Sequence, residues 1–147
     1  MSDPSTPDLI DKFWESVPPA WHLTRDKIRR TAAEKFNLTV EQFQVLRRIR
    51  RGIASVSALA EASRTSRSSV SKAVDVLVNR GLVSRSQDPR DRRNIPLALT
   101  APGSRALSAI YAETETWLAA CFERLDGAEQ ARLLEAMDLL TKAFVEE

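Results

Sequence analysis

The feature that most constrains the fold is a helix pattern followed directly by two short strands, within residues 66–99. Ser66 is a favourable N-cap and Gly81 is favourable just past a C-terminus, and apolar residues recur between them at helical spacing. Leu82–Arg85 then predicts one strand. Asn94–Leu99 predicts a second, because its apolar residues alternate along the chain: Ile95, Leu97 and Leu99. A helix with a hairpin attached predicts a winged helix-turn-helix, in which the hairpin is the wing.

Two shorter helix patterns precede this unit and complete the lobe. In the segment Leu38–Phe43, Thr39 stands at an N-cap position and Gln42 stands three residues later, which is the spacing of a capping box. That helix should end at Gly52, and a short helix should follow around Ser57–Ala62. The winged-helix lobe is therefore predicted at about residues 38–100.

The segment before the lobe, at about residues 8–36, also carries apolar residues at helical spacing. Pro18-Pro19 interrupts it and removes two backbone N–H donors. We therefore expect a short first helix that ends near Ser16 and a second helix that begins at Pro18. A single kinked helix is the alternative.

The segment after the lobe, at about residues 101–146, predicts two helices. The first begins after Thr100, and the second is capped by Asp126 with Glu129 three residues later. Both carry an apolar stripe: Leu107, Ile110, Trp117, Leu118, Cys121 and Leu125 on the first, and Leu133, Met137, Leu140 and Phe144 on the second.

Pairing of the terminal helices across a two-fold axis would bury these stripes. It would also set two recognition helices about 34–36 Å apart, which is one turn of DNA. A helical layer within one chain is the alternative. We therefore expect one domain over residues 1–147, mainly α with a small β-hairpin wing, whose N- and C-terminal helices serve for dimerisation.

The charge is distributed unevenly along the chain. Residues 44–100 hold twelve Lys and Arg against four acids, a net charge of +8, and the remainder carries −6. Such an asymmetry is typical of a polyanion-binding centre with flanking segments of another role. A solvated basic face without a partner is the alternative.

The helix that follows Ser66 has a polar outer face that suits the major groove of DNA. Its candidate DNA-contacting residues are small, hydrogen-bonding or basic, and they lie in its first turns: Ser66, Arg67, Ser68, Ser71 and Lys72. An ordinary amphipathic surface helix would show a similar pattern. The adjoining hairpin favours the interpretation as a recognition helix.

The tip of the predicted wing is rich in arginine. Arg90, Arg92 and Arg93 suit a narrow, electronegative minor groove beside the major-groove contact. Asp91 would be repelled by phosphate, so we expect it to brace the tip by accepting hydrogen bonds from Arg93 or from loop amides. The alternative is that Asp88 and Asp91 only form turns.

Signals for an enzyme are weak. The chain has one histidine, one cysteine and four glycines, and these form neither a close metal-ligand cluster nor a phosphate-binding loop. We expect no enzymatic activity, no cofactor and no metal site. Nothing in the sequence suggests secretion or a membrane span, so a cytoplasmic protein is expected.

The order and spacing of several motifs resemble MarR-type regulators over about residues 20–125. These motifs include Arg80-Gly81-Leu82-Val83, Asp88-Pro89-Arg90-Asp91-Arg92-Arg93 and Leu99-Thr100-Ala101-Pro102-Gly103, and the most specific is the wing signature, Asp-x-Arg followed by Leu-Thr-x-x-Gly. The resemblance implies a homodimer that binds a pseudo-palindromic operator in double-stranded DNA, usually as a repressor released by a small ligand or oxidant. It places Arg93 in the minor groove with Asp91 as its supporting acid.

The resemblance also implies a pocket for aromatic acids between the dimerisation helices and the DNA-binding lobe. We expect this pocket to be formed by Trp14, Trp21, His22, Arg47 and Trp117. The predicted function is a sequence-specific DNA-binding transcriptional regulator, a homodimeric repressor relieved by a small aromatic or phenolic ligand. The alternative is a winged-helix protein-interaction module or anti-repressor that does not read DNA.

Overall fold

The computed structural model describes residues 5–86 and 96–145. In chain order, these contain the helices and strands α1 (Thr6–Phe36), α2 (Val40–Arg50), α3 (Val56–Ser63), α4 (Arg67–Asn79), β1 (Val83–Arg85), β2 (Leu97–Leu99), α5 (Ala101–Phe122) and α6 (Gly127–Ala143). The two strands form one antiparallel sheet. The predicted fold class, mainly α with a small hairpin in a winged helix-turn-helix, is confirmed.

The predicted starts of α2, α4 and α6 are confirmed by their side-chain caps. The Thr39 hydroxyl accepts a hydrogen bond from the Gln42 amide, and the Gln42 side chain accepts one from the Thr39 amide, both at 3.1 Å. Asp126 and Glu129 form the same reciprocal pair at the start of α6. At the start of α4, the Ser66 hydroxyl accepts from the Ser69 amide at 3.1 Å. These local bonds satisfy amides that a helix cannot pair by itself.

The prediction of a helix break at Pro18-Pro19 is wrong. One helix, α1, runs from Thr6 to Phe36 through both prolines. Each proline removes the hydrogen bond to the carbonyl four residues earlier, at Trp14 and Glu15. Both residues are exposed in this single chain, so water can donate to the two carbonyls that lack a backbone donor, and the helix continues.

The hydrophobic core lies between the winged-helix lobe and the first half of α5. Helices α2, α3, α4 and α5 contribute the side chains that are 0% exposed and largest: Leu46, Leu59, Leu77, Leu107 and Ile110. Helix α1 packs on α5 and reaches the core near Ala32. Because α5 contributes directly to this core, the winged-helix lobe, the end of α1 and the first half of α5 share one apolar centre.

The hairpin stalk is fixed to the lobe on both sides. Val83 pairs with Leu99, and Arg85 pairs with Leu97. On the other edge, the Leu97 amide donates to the carbonyl of Ala54, between α2 and α3, at 2.8 Å. The stalk is thus anchored to the segment between α2 and α3 as well as to the recognition helix.

The junction of hairpin and α5 explains the glycine of the Leu-Thr-x-x-Gly motif. The Thr100 hydroxyl donates to the Gly81 carbonyl at 2.5 Å, and the Thr100 amide donates to the Leu82 carbonyl at 3.1 Å. A Cβ at Gly103 would lie 2.9 Å from the Leu82 carbonyl carbon and closer still to its oxygen. Only glycine permits this close approach of α5 to the end of α4.

The N-terminal half of α1 and the whole of α6 leave large apolar side chains exposed. Trp14 is 66% exposed, Leu134 66% and Phe144 67%. Helix α6 contains no buried residue in this single chain. The assignment of these helices to dimerisation stays a prediction. Within the described residues, no helix is long and apolar enough to cross a membrane.

Candidate nucleic-acid interface

The structure presents the predicted recognition residues along one end of α4. Arg67, Ser68 and Lys72 are exposed, Ser71 is half-buried, and Ser66 is the exposed N-cap. The opposite face buries Val70, Ala73, Val74 and Leu77 in the core. The five predicted side chains are therefore brought together at the N-terminal end of a helix that is firmly held from behind.

This end of α4 is electropositive for two reasons. Arg67 and Lys72 have no ion-pair partner within residues 5–86 and 96–145. The amides of the first helical turn add the positive end of the helix dipole, and the helix itself uses only part of them. An anion such as a phosphate group is stabilised at this position.

Asp75 and Arg85 form an ion pair that the sequence analysis did not predict. Asp75 lies on the outer face of α4 and Arg85 lies on β1, and both are partly exposed. The pair neutralises a carboxylate that would otherwise repel phosphate on the outer face of α4. It also joins the recognition helix to the hairpin. The available signal was an acid on the outer face of the helix and a basic residue on the adjoining strand.

The wing is described only as far as its stalk. Strands β1 and β2 continue into a further bond, in which the Ser86 amide donates to the Pro96 carbonyl at 2.9 Å. The predicted tip residues lie outside the described residues: Arg90, Asp91, Arg92 and Arg93. Their roles stay predictions. The stalk extends from the same side of the lobe as Asp75 on α4.

The arginines of α2 contact other parts of the molecule. Arg48 donates to the Ser63 hydroxyl at 2.5 Å, and Arg50 donates to the Ser108 hydroxyl at 3.0 Å. Burial, together with the charge of Arg47, lowers the pKa of Arg48. These residues raise the positive charge of the lobe without belonging to the outer face of α4.

A groove of about 570 Å³ lies between α1, α2 and α5. Trp21, His22 and Arg47 line it, as does Tyr111, whose ring packs 6.1 Å from that of Phe43. Trp14 and Trp117 are not among its lining residues. The structure therefore gathers three of the five predicted pocket residues and adds Tyr111, which the sequence analysis missed because it singled out only tryptophan, histidine and arginine.

The groove carries an excess of positive charge. Four arginines line it, Arg25, Arg29, Arg47 and Arg51, against the acids Asp26 and Glu115. Hydrogen bonding from Arg29 lowers the pKa of Asp26, which also contacts Arg30 at 2.9 Å. Within the described part of the chain, the buried Nε of Arg47 has no hydrogen-bond partner. The groove thus combines aromatic walls with unneutralised guanidinium groups.

Comparison with known proteins agrees with this architecture. The model of the MarR family matches residues 36–94. The transcriptional regulator HosA of Escherichia coli is 32% identical over 109 residues, which cover 73% of this chain and 80% of HosA. The chain belongs to the MarR family. It is a transcriptional regulator with a winged-helix fold, as its sequence resemblance implied.

Solved structures of the MarR type share the fold at lower identity. The MarR repressor of Listeria monocytogenes superposes with a TM-score of 0.84 at 20% identity, covering 98% of this chain and 100% of that one. A point mutant of MepR from Staphylococcus aureus, bound to an oligodeoxyribonucleotide, superposes with a TM-score of 0.73 at 17% identity. The match covers 90% of this chain and 98% of that one. Within the residues described for this MarR-family chain, no group of three His, Cys, Asp or Glu side chains could hold a metal ion.

Proposed function

We propose that this regulator is a homodimer that binds double-stranded DNA at specific pseudo-palindromic sites. The observation that carries the proposal is the N-terminal end of α4, where Arg67, Ser68 and Lys72 are exposed beside the anchored hairpin stalk. Small polar and basic side chains at this end of a helix suit base edges and phosphates in the major groove. The MepR mutant, which shares the fold, is bound to an oligodeoxyribonucleotide, and this supports DNA binding as the role of the fold here.

The exposed apolar surface supports a homodimer. Leu9, Ile10 and Trp14 on α1 and Leu134 and Met137 on α6 are all substantially exposed in one chain. A soluble protein rarely leaves so many large apolar side chains in water without a partner. A second copy of the chain, placed across a two-fold axis, would cover them and present two α4 helices to successive major grooves.

The groove supports relief of repression by a small anionic aromatic ligand. Trp21 and Tyr111 provide flat apolar walls, while Arg47 provides a cation with an unpaired buried donor among the described residues. A ligand in this groove weakens DNA binding only if it favours a DNA-incompetent arrangement, and linkage requires that DNA weaken the ligand by the same factor. We expect the protein to act as a repressor that such a ligand releases.

The test is selection of bound duplexes from a random double-stranded DNA pool. The proposal predicts enrichment of two inverted half-sites whose centres lie about ten base pairs apart. The matched control is the Ser68→Ala, Lys72→Ala double variant, which keeps the buried face of α4 and should lose the enrichment. No enrichment by the wild-type protein would refute the proposal and favour a winged-helix module that binds protein partners instead.

A further inference from the structure

Arg80 joins the end of the recognition helix to the end of the first long helix. It is the C-cap residue of α4, and its guanidinium donates to two carbonyl oxygens at the end of α1. One bond reaches Asn37 at 2.9 Å and the other reaches Phe36 at 2.6 Å. The last carbonyls of a helix have no donor within the helix and carry its negative dipole end. The planar guanidinium of arginine can donate to both carbonyls at once, so it suits this position better than the compact ammonium group of lysine.

This contact is important because α4 makes few other contacts with α1 within the described residues. The backbone of α4 packs mainly on α2, α3 and β1, whereas α1 packs mainly on α5 and α2. The other polar contacts of this layer, Lys35 to Glu113 and Arg50 to Ser108, connect to α5 rather than to α4. Arg80 is therefore a direct polar connection between the two helices in the part of the chain that the structure describes.

Helix α1 is long enough to connect distant features. From Trp21 in the groove to Phe36, fifteen residues of helix span about 22 Å. The same helix carries the exposed Trp14 near its other end. If α1 moves as one rigid helix, a displacement at the groove or at the apolar surface also moves the carbonyls to which Arg80 donates.

We propose that Arg80 is a positioning residue that sets the recognition helix relative to α1, and thereby fixes the spacing of the two half-sites that a dimer reads. The inference rests on the proposed function, since it needs a DNA-binding dimer. Without the two bonds, α4 keeps its fold but is less firmly fixed relative to the dimer axis. Selectivity for spacing then falls more than affinity for one half-site.

The experiment measures affinity for the selected operator and for operators with one base pair inserted or removed between half-sites. We expect Arg80→Ala to reduce the preference for the native spacing by about fivefold or more, in the usual range of a coupling between two sites. Arg80→Lys keeps the charge but loses the fork, so its preference should fall between those of wild type and Arg80→Ala. Circular dichroism checks that each variant is folded. If Arg80→Ala is not folded, the spacing preference of Arg80→Lys is compared with that of the wild-type protein instead.

The matched control is Arg50→Ala, which removes another exposed arginine and its bond to Ser108 on α5. It should keep the wild-type preference for spacing. Equal preference in wild type and the Arg80 variants would overturn the inference while leaving the proposed function intact, as would an equal loss in Arg50→Ala. Failure of the wild-type protein to discriminate any operator would instead refute the proposed function itself.

Discussion

Replacement of Gly103 by alanine should destabilise the protein by about 3–4 kcal/mol. The new Cβ would lie 2.9 Å from the Leu82 carbonyl carbon, and backbone cannot rotate away as a side chain can. Overpacking of this kind costs about 3 kcal/mol at its upper range. A shift of α5 relieves only part of this overlap and also breaks the bonds from Thr100 to Gly81 and Leu82, so about 1 kcal/mol for each bond adds to the cost. Alanine recovers about 1 kcal/mol through its higher helix propensity.

The assay is thermal unfolding followed by circular dichroism at one fixed protein concentration. For a chain of this size, the loss corresponds to a decrease in Tm of about 10 °C. Gly127→Ala is the matched control, because Gly127 also lies in the first turn of a helix, but a Cβ there would have no atom of the described residues within 4 Å. Its Tm should stay equal or rise slightly. A Gly103→Ala variant as stable as Gly127→Ala would refute the packing argument.

Three further predictions address the proposed interface, dimer and groove. Lys72→Ala should change base preference at one position of each selected half-site by about 5–150-fold, measured by competition between operator variants; equal weakening at every site would make Lys72 a phosphate contact only. Met137→Lys should raise the dissociation constant of the dimer by about tenfold or more in analytical ultracentrifugation, and an unchanged constant would exclude that face of α6. Trp21→Phe should abolish fluorescence quenching by an aryl carboxylate that quenches the wild-type protein, whereas Trp14→Phe should retain it; the reverse result would place the ligand outside the groove.

Local signals in the sequence were sufficient to predict most of the helix and strand boundaries. The Thr39–Gln42 box, the Ser66 cap and Gly81 depend on residues within four positions of one another, so their consequences could be predicted without tertiary information. The prediction of a helix break at Pro18-Pro19 was wrong because the free-energy cost of a missing backbone N–H donor depends on whether water can reach the unpaired carbonyl. That access became visible only in the folded chain.

The groove shows a similar division between what the sequence could and could not predict. Trp21 and Arg47 both line the groove, whereas Trp14 lies two turns farther along α1, a rise of about 10 Å along the helix axis from Trp21. On α5, Leu118 lines the groove, and the neighbouring Trp117 is rotated from it by about 100° around the helix axis, so it lies outside the groove. The Asp75–Arg85 pair and the close approach at Gly103 join residues that only the folded lobe brings together.

The most direct test of the central claim is the salt dependence of binding to the selected operator, with a scrambled duplex of equal length beside it. If two α4 helices and two wings contact about 6–10 phosphates, raising the salt from about 50 to about 200 mM should weaken operator binding by about 10³–10⁵-fold. The operator should remain preferred over the scrambled duplex at each concentration, because base contacts and not only phosphate contacts select it. Binding that does not change with salt, or that does not distinguish the two duplexes, would contradict the account.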